Sequence, residues 1–145
     1  MEHIAVMDPS LGMIPKIVSG EKDVESRWYM RRKAPWDRVR EGDVVYFKNV
    51  GEPVTVRAEV SFVLQYSLYE ANRREIIREY GTRLGVDSRF LEQVRDRRYC
   101  ILMGLVNVVE IEPFGIDRRR GRFAFGDAWL VLNGRKIEDV KKCTL

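Results

Sequence analysis

Apolar positions recur with two periods along this 145-residue chain, and the switches between them mark its elements. Residues 2–7, Glu-His-Ile-Ala-Val-Met, read as a short strand. Leu11, Ile14, Ile17 and Val18 then fall three and four apart, the spacing of one buried helix face. Asp8 or Ser10 caps this predicted helix. Gly20 ends it, because the residue after a helix favours the left-handed conformation that glycine adopts freely. Pro9 suits a helix start, and Pro15 restricts the helix to two short turns. Residues 22–28 alternate loosely, with Lys22, Val24 and Ser26 on one face and Asp23, Glu25 and Arg27 on the other.

The turn signal Glu41-Gly42-Asp43 precedes Val44-Val45-Tyr46-Phe47-Lys48, a β-branched and aromatic strand. Asn49 to Pro53 reads as a hairpin loop. Val54 to Tyr66 is a longer strand with Val54, Val56, Ala58 and Val60 on one face. Leu68 to Tyr80 predicts a helix ended by Gly81, and Asp87 or Ser88 caps a second helix over about residues 89–97. Tyr99 to Ile111 predicts a core strand, with Gly104 a bulge and Pro113 its end. Asp117 to Arg122 reads as a basic loop, Phe123 to Leu132 as the last core strand, and Asn133-Gly134 as a turn. The order β-α-β-β-β-α-α-β-β is α+β, most economically a small mixed barrel flanked by helices. Without repeats, linkers or low-complexity segments, residues 1–145 are expected to form a single domain.

Composition narrows the chemistry. Two cysteines, Cys100 and Cys143, and one histidine do not make a zinc site of Cys and His ligands, so no metal or cofactor is expected. Catalysis by a Ser-His-Asp or Cys-His set would have to use His3, whose plainer role is a satisfied strand or surface residue. No apolar run is long enough to span a membrane, and no basic segment precedes an apolar stretch at the N-terminus; a cytoplasmic location is the expectation. The net charge is +4, with 26 basic residues, of which 19 are arginine. Arginine suits bidentate phosphate contacts and stacking on bases, although a thermophile-like composition produces the same enrichment.

The distribution of charge is more informative. Gly20-Glu21-Lys22-Asp23-Val24-Glu25-Ser26-Arg27 packs a lysine, carboxylates and an arginine beside a glycine corner. As a pattern it is also what a solvated edge strand looks like. The stretch resembles the signature of ASCH domains in the PUA-like superfamily, a short helix running into Gly-x-Lys-x-x-Glu-x-Arg. Gly20, Lys22, Glu25 and Arg27 occupy the four positions. Ile14 to Gly20 resembles the family's helix, and Val39 to Phe47 its Gly-Asp turn opening a barrel strand. The likeness continues weakly through Val54–Val60 and Ala128–Val131. The resemblance implies a PUA-like β-barrel with a cleft that binds RNA or modified nucleotides, lined by Lys22, Glu25 and Arg27. One branch of ASCH proteins hydrolyses N4-acetylcytidine using the motif lysine, a threonine at the glutamate position and a further glutamate. Glu25 departs from that branch, since a carboxylate acts more naturally as a base or an ion-pair partner than as a nucleophile. Some relatives are ribonucleases.

Residues 27–40 carry six basic residues against the one acid Asp37, interleaved with Trp28, Tyr29 and Trp36. Cations for phosphate and flat rings for bases are what single strands require. Arg31, Arg32 and Trp36 are therefore candidate contacts, with Trp28 expected to be buried. Arg119 and Arg120, in the run Arg118-Arg119-Arg120-Gly121-Arg122, are candidates for phosphate. Arginines 73, 74, 95, 97 and 98 sit among acids at helical spacing and read as surface ion pairs. Tyr66, Tyr69 and Tyr80 read mainly as packing. The first functional reading is a module that binds RNA or a modified nucleotide. The second is a hydrolase with Lys22 and Glu25 as catalytic groups and Glu59, Glu110 or Glu112 as a further carboxylate. The third is a scaffold whose charge serves solubility.

Overall fold

In a computed structural model that describes residues 1–123 and 126–143, six strands form one mixed sheet. They are β1 (Glu2–Met7), β2 (Val24–Tyr29), β3 (Val44–Asn49), β4 (Val54–Ser67), β5 (Tyr99–Phe114) and β6 (Trp129–Val131). The spatial order is β2-β5-β4-β3-β1-β6, antiparallel except for the β1–β3 pair. Three register shifts interrupt the long β4–β5 ladder, near Val54/Val56, Arg57/Glu59 and Val60/Phe62. Each extra residue bends and twists the ribbon. The sheet curls into a half-barrel with helices packed against it, the α+β arrangement expected from the element order.

Strand alternation then sorts the apolar side chains into an inside and two outsides. Ala5, Val45, Phe47, Ala58, Ile101 and Met103 fill the barrel, plugged by Met13, Ile14 and Ile17 of α1 (Met13–Ser19). On one outer face, Ile4, Val6, Tyr46 and Leu130 are covered by Ile137 and Val140 of a C-terminal 3-10 turn. On the other, Val24, Trp28, Cys100 and Leu102 pack under α2 (Glu70–Leu84) and α3 (Ser88–Gln93), through Ile76, Leu84 and the following Val94.

Several boundaries differ from the pattern. Asp8 caps a separate 3-10 turn, Pro9–Leu11, and Gly12 at φ 62° divides it from α1. Pro15 falls in the first turn of α1, where its missing N–H leaves no bond unmade. Helix α2 runs through Gly81 to Leu84 and ends at Gly85, φ 67°, because the fully buried Leu84 extends its packed face by another turn. The second helix stops at Gln93. The bulge near Gly104 belongs to the opposite strand, where Ser61 is the extra residue between pairs Val60–Leu105 and Phe62–Gly104. A Cβ on Gly104 would stand 2.3 Å from the Phe62 ring, so only glycine fits. Strand β5 continues past Pro113, since β2 pairs only as far as Gly104 and the free edge beyond needs no N–H. The basic loop contains a short helix, α4 (Arg118–Gly121), whose N–H groups Asp117 caps. The last strand shrinks to Trp129–Val131, and residues 124 and 125 of its expected span lie outside the described residues.

His3 is fully buried in β1. Its Nδ1 accepts from Trp129 Nε1 at 3.1 Å, so the ring proton lies on Nε2 and donates to Asp43 Oδ2 at 2.8 Å. Burial holds the imidazole below its ordinary pKa despite the Asp43 carboxylate beside it. A histidine whose folded pKa is lowered contributes stability that is complete above the unfolded value. That stability declines as pH falls below about 6.5 toward the folded value. His3 is the single histidine, so unfolding free energies from urea melts should fall between pH 7.5 and pH 5. The slope approaches but does not exceed about 1.4 kcal/mol per pH unit. His3→Asn should flatten it; an equal slope in that variant would remove His3 from the account.

Candidate functional site

The sheet leaves two edges, β2 and β6. Leu105 N–H donates to Asp23 O at 2.9 Å, which sets the phase of β2. Odd-numbered backbone groups face β5 and even-numbered groups face outward. Side chains of the Gly20–Arg27 stretch cover two of these outward groups. Val24 C=O accepts from Lys22 Nζ at 2.8 Å, and Ser26 N–H donates to Glu25 Oε1 at 2.9 Å. Covering an exposed edge in this way blocks pairing with another chain.

Lys22 is 1% exposed. Its ammonium also donates to Leu84 O at 2.7 Å and lies 3.3 Å from Glu25 Oε1, so three protons meet three acceptors. Burial lowers the Lys22 pKa, opposed by the Glu25 carboxylate. For Glu25, burial pushes the pKa up, but Lys22, Arg27 and the Ser26 N–H together hold it below the usual value. Arg27 Nη2 donates to Glu25 Oε2 at 3.2 Å and Val6 O at 3.3 Å. Its Nη1 donates to Ala128 O at 3.1 Å, and the guanidinium lies 5.2 Å from the centre of the Trp129 indole. Arg27 therefore bridges the open seam of the half-barrel. Simple alternation had separated Lys22 from Glu25. The strand begins only at Val24, and Lys22 N–H bonds Lys16 O in the preceding turn, which frees its side chain to swing onto the carboxylate.

This ion chain forms part of the wall of a cavity of about 1180 Å³. The cavity lies between the end of β1, strand β2, the α2–α3 corner and the segment around α4. Of the residues singled out from sequence, Lys22, Glu25, Arg27 and Arg119 meet here. The structure places Arg31, Arg32, Trp36 and Arg120 elsewhere. The Arg32 guanidinium lies 5.4 Å from the Trp36 ring and 5.2 Å from the Tyr99 ring, and Trp36 packs edge-on against Tyr99. Arg31 is exposed away from the cavity lining, and Arg120 Nη1 donates to Lys141 O. Glu59 is engaged by Asn107 and Arg57, and Glu110 and Glu112 are exposed on the free part of β5; none lines the cavity. Among the described residues, no group of three or more His, Cys, Asp or Glu is arranged to hold a metal ion. Among the described residues, no helix is long and apolar enough to cross a membrane.

Sequence reasoning missed Lys48, Phe90, Arg97 and Lys142, all of which line the cavity. The available signal was Lys48, a lysine at the end of a strand whose preceding residues are core. Phe90 was legible only as a helix face and Arg97 only as a surface ion pair, which it also makes with Asp96.

No family model matches the sequence, and no curated protein matches it. Solved structures do. An ASCH protein from Zymomonas mobilis has a TM-score of 0.66 at 17% identity, covering 88% of this chain and 85% of that one. A tyrosine-to-phenylalanine variant of the same protein has a TM-score of 0.65 at 16% identity, covering 88% and 87%. A serine-to-alanine variant has a TM-score of 0.64 at 17% identity, covering 88% and 85%. At this identity the likeness is one of architecture: the chain shares the α+β fold of these ASCH structures.

Proposed function

We propose that the cavity binds a nucleotide, free or within an RNA strand, with the base against its apolar wall and phosphate at its basic rim. The cavity's size and lining carry this reading. Among the described residues, seven basic and four acidic side chains share it with Val6, Met7, Trp28 and Phe90. Apolar walls with a few fixed polar groups are typical of small-ligand sites, and about 1180 Å³ exceeds the space one nucleotide needs. The excess suits a base with its flanking backbone. The resemblance of Gly20–Arg27 to the ASCH motif points the same way.

The hydrolase reading requires Lys22 or Glu25 to move a proton at a substrate. Lys22 already directs its three protons at Val24 O, Leu84 O and Glu25. Both Glu25 oxygens accept bonds, from Ser26 N–H and Arg27. That arrangement favours a fixed electrostatic wall over a proton-transfer site.

Titration of the protein into fluorescent single-stranded and duplex RNA, at two salt concentrations, tests the proposal. Saturable binding should weaken with salt, and Arg119→Ala should reduce the log–log salt slope by about 0.7 for a single strand. RNA recovered intact supports binding, whereas cleaved RNA favours the hydrolase. A folded protein that binds neither RNA nor any nucleoside monophosphate rules the reading out.

A further inference from the structure

Lys48 is 9% exposed, and among the described residues it makes no hydrogen bond or ion pair. Its stem is covered while Nζ keeps contact with solvent in the cavity, and partly desolvating an ammonium is costly unless other groups replace the lost solvation. The surroundings of Lys48 do the reverse. Burial lowers its pKa, and Arg118 and Lys142 lower it further, with Glu52 opposing only in part. The carboxylates nearby are engaged: Glu52 accepts from Asn49 Nδ2, Asp117 caps α4, and Asp8 caps the 3-10 turn. Lys142 is positioned by the backbone around it. Lys142 N–H bonds Gly115 O at 2.8 Å, and a Cβ on Gly115 would come within 3.1 Å of the Lys142 stem. Strand β3 brings in Lys48 just after its register shift against β4. Lys48, Arg118, Arg119 and Lys142 all border the same cavity as Lys22 and Glu25.

We propose that Lys48, with Arg118, Arg119 and Lys142, forms a phosphate subsite, so that the ligand is a phosphorylated nucleotide rather than a free nucleoside. This rests on the nucleotide reading and adds to it. A tetrahedral dianion seated among these groups supplies the counter-charge that the fold withholds from Lys48. It also gives the basic residues directed phosphate contacts, which are stronger than neutral hydrogen bonds. The Lys22–Glu25–Arg27 chain, already internally satisfied, then faces the remainder of the ligand.

The test uses calorimetry at constant ionic strength, with the four common ribonucleosides and their 3′- and 5′-monophosphates. Thermal melts in inorganic phosphate against chloride run alongside. In the wild-type protein at least one monophosphate should bind about tenfold more tightly than its nucleoside, and Lys48→Met should bring that ratio to within about twofold. Inorganic phosphate should raise the melting temperature of the wild type and not of Lys48→Met. Methionine keeps the length and apolar stem of Lys48 while removing a charge without a partner, so this variant should melt no lower than the wild type. A marked fall would make Lys48 structural and overturn the proposal. Equal affinity for nucleoside and monophosphate, or a preference that survives in Lys48→Met, also overturns it. If no nucleoside or nucleotide binds but inorganic phosphate still stabilises only the wild type, the subsite stands and the nucleotide reading fails. If phosphate has no effect either, both fail.

Discussion

Replacing Lys22 with alanine should lower the unfolding free energy by about 3–5 kcal/mol, as removal of one partner from a buried ion pair does. The cost has identifiable parts. Val24 O and Leu84 O lose the ammonium that satisfies them, and Glu25, also buried, keeps only Arg27 as a counter-charge. Arg27 softens the loss and places the expectation toward the lower end. Lys22→Met, which preserves the packed stem, separates the charge from the cavity left by truncation, and it should still lose most of the stability. Urea unfolding of Lys22→Met, Glu25→Gln and the double variant checks the origin. Because the two residues act as one network, the double variant should cost less than the two single costs combined. Additive costs, or a Lys22→Ala loss below about 1 kcal/mol, would mean that the ion chain does not hold the β2 edge.

Arg27→Ala should cost about 2–3 kcal/mol, through the loss of charge-assisted bonds and of the cation seated on Trp129. The loss should be local. The guanidinium joins β2 to Val6 O and Ala128 O across a seam that no strand pairing closes, at 12% side-chain exposure. Amide hydrogen exchange at residues 129–131 and near Val6 should therefore quicken more than exchange in the β4–β5 ladder. Arg27→Lys should behave much like alanine, since a single ammonium cannot span three acceptors that the planar fork reaches together. Unchanged exchange in β6 would show that the seam is held by its apolar packing instead.

Both variants act on residues that sequence singled out, yet the reason they matter was not readable there. The motif Gly20-x-Lys22-x-x-Glu25-x-Arg27 was visible as a cluster of opposite charges. Its plain reading, a solvated edge, is wrong on burial, because Lys22 is enclosed by the end of α2, an element more than 45 residues away in the chain. The basic, aromatic segment 27–40 was equally visible, and only its first residues border the cavity. Arg32 and Trp36 instead pack with Tyr99. Charge density in a sequence reports composition of a surface; which cations converge depends on where strands end.

Periodicity, turn residues and helix-ending glycines were sufficient for the strand and helix order, the α+β class and the curled mixed sheet, because these depend on local backbone preference and on alternation of apolar positions. The exact ends of α2, β5 and β6 escaped, since burial of Leu84, the missing neighbour of β5 beyond Gly104 and the short pairing of β1 with β6 are long-range facts. The same holds for the site. Residue types in Gly20–Arg27 supplied its charges, but the meeting of Lys22 with Glu25, the bridge of Arg27 to β1 and the gathering of Lys48 with Arg118 and Lys142 arise only when the sheet curls, bringing distant segments to one cavity where burial makes each charge count.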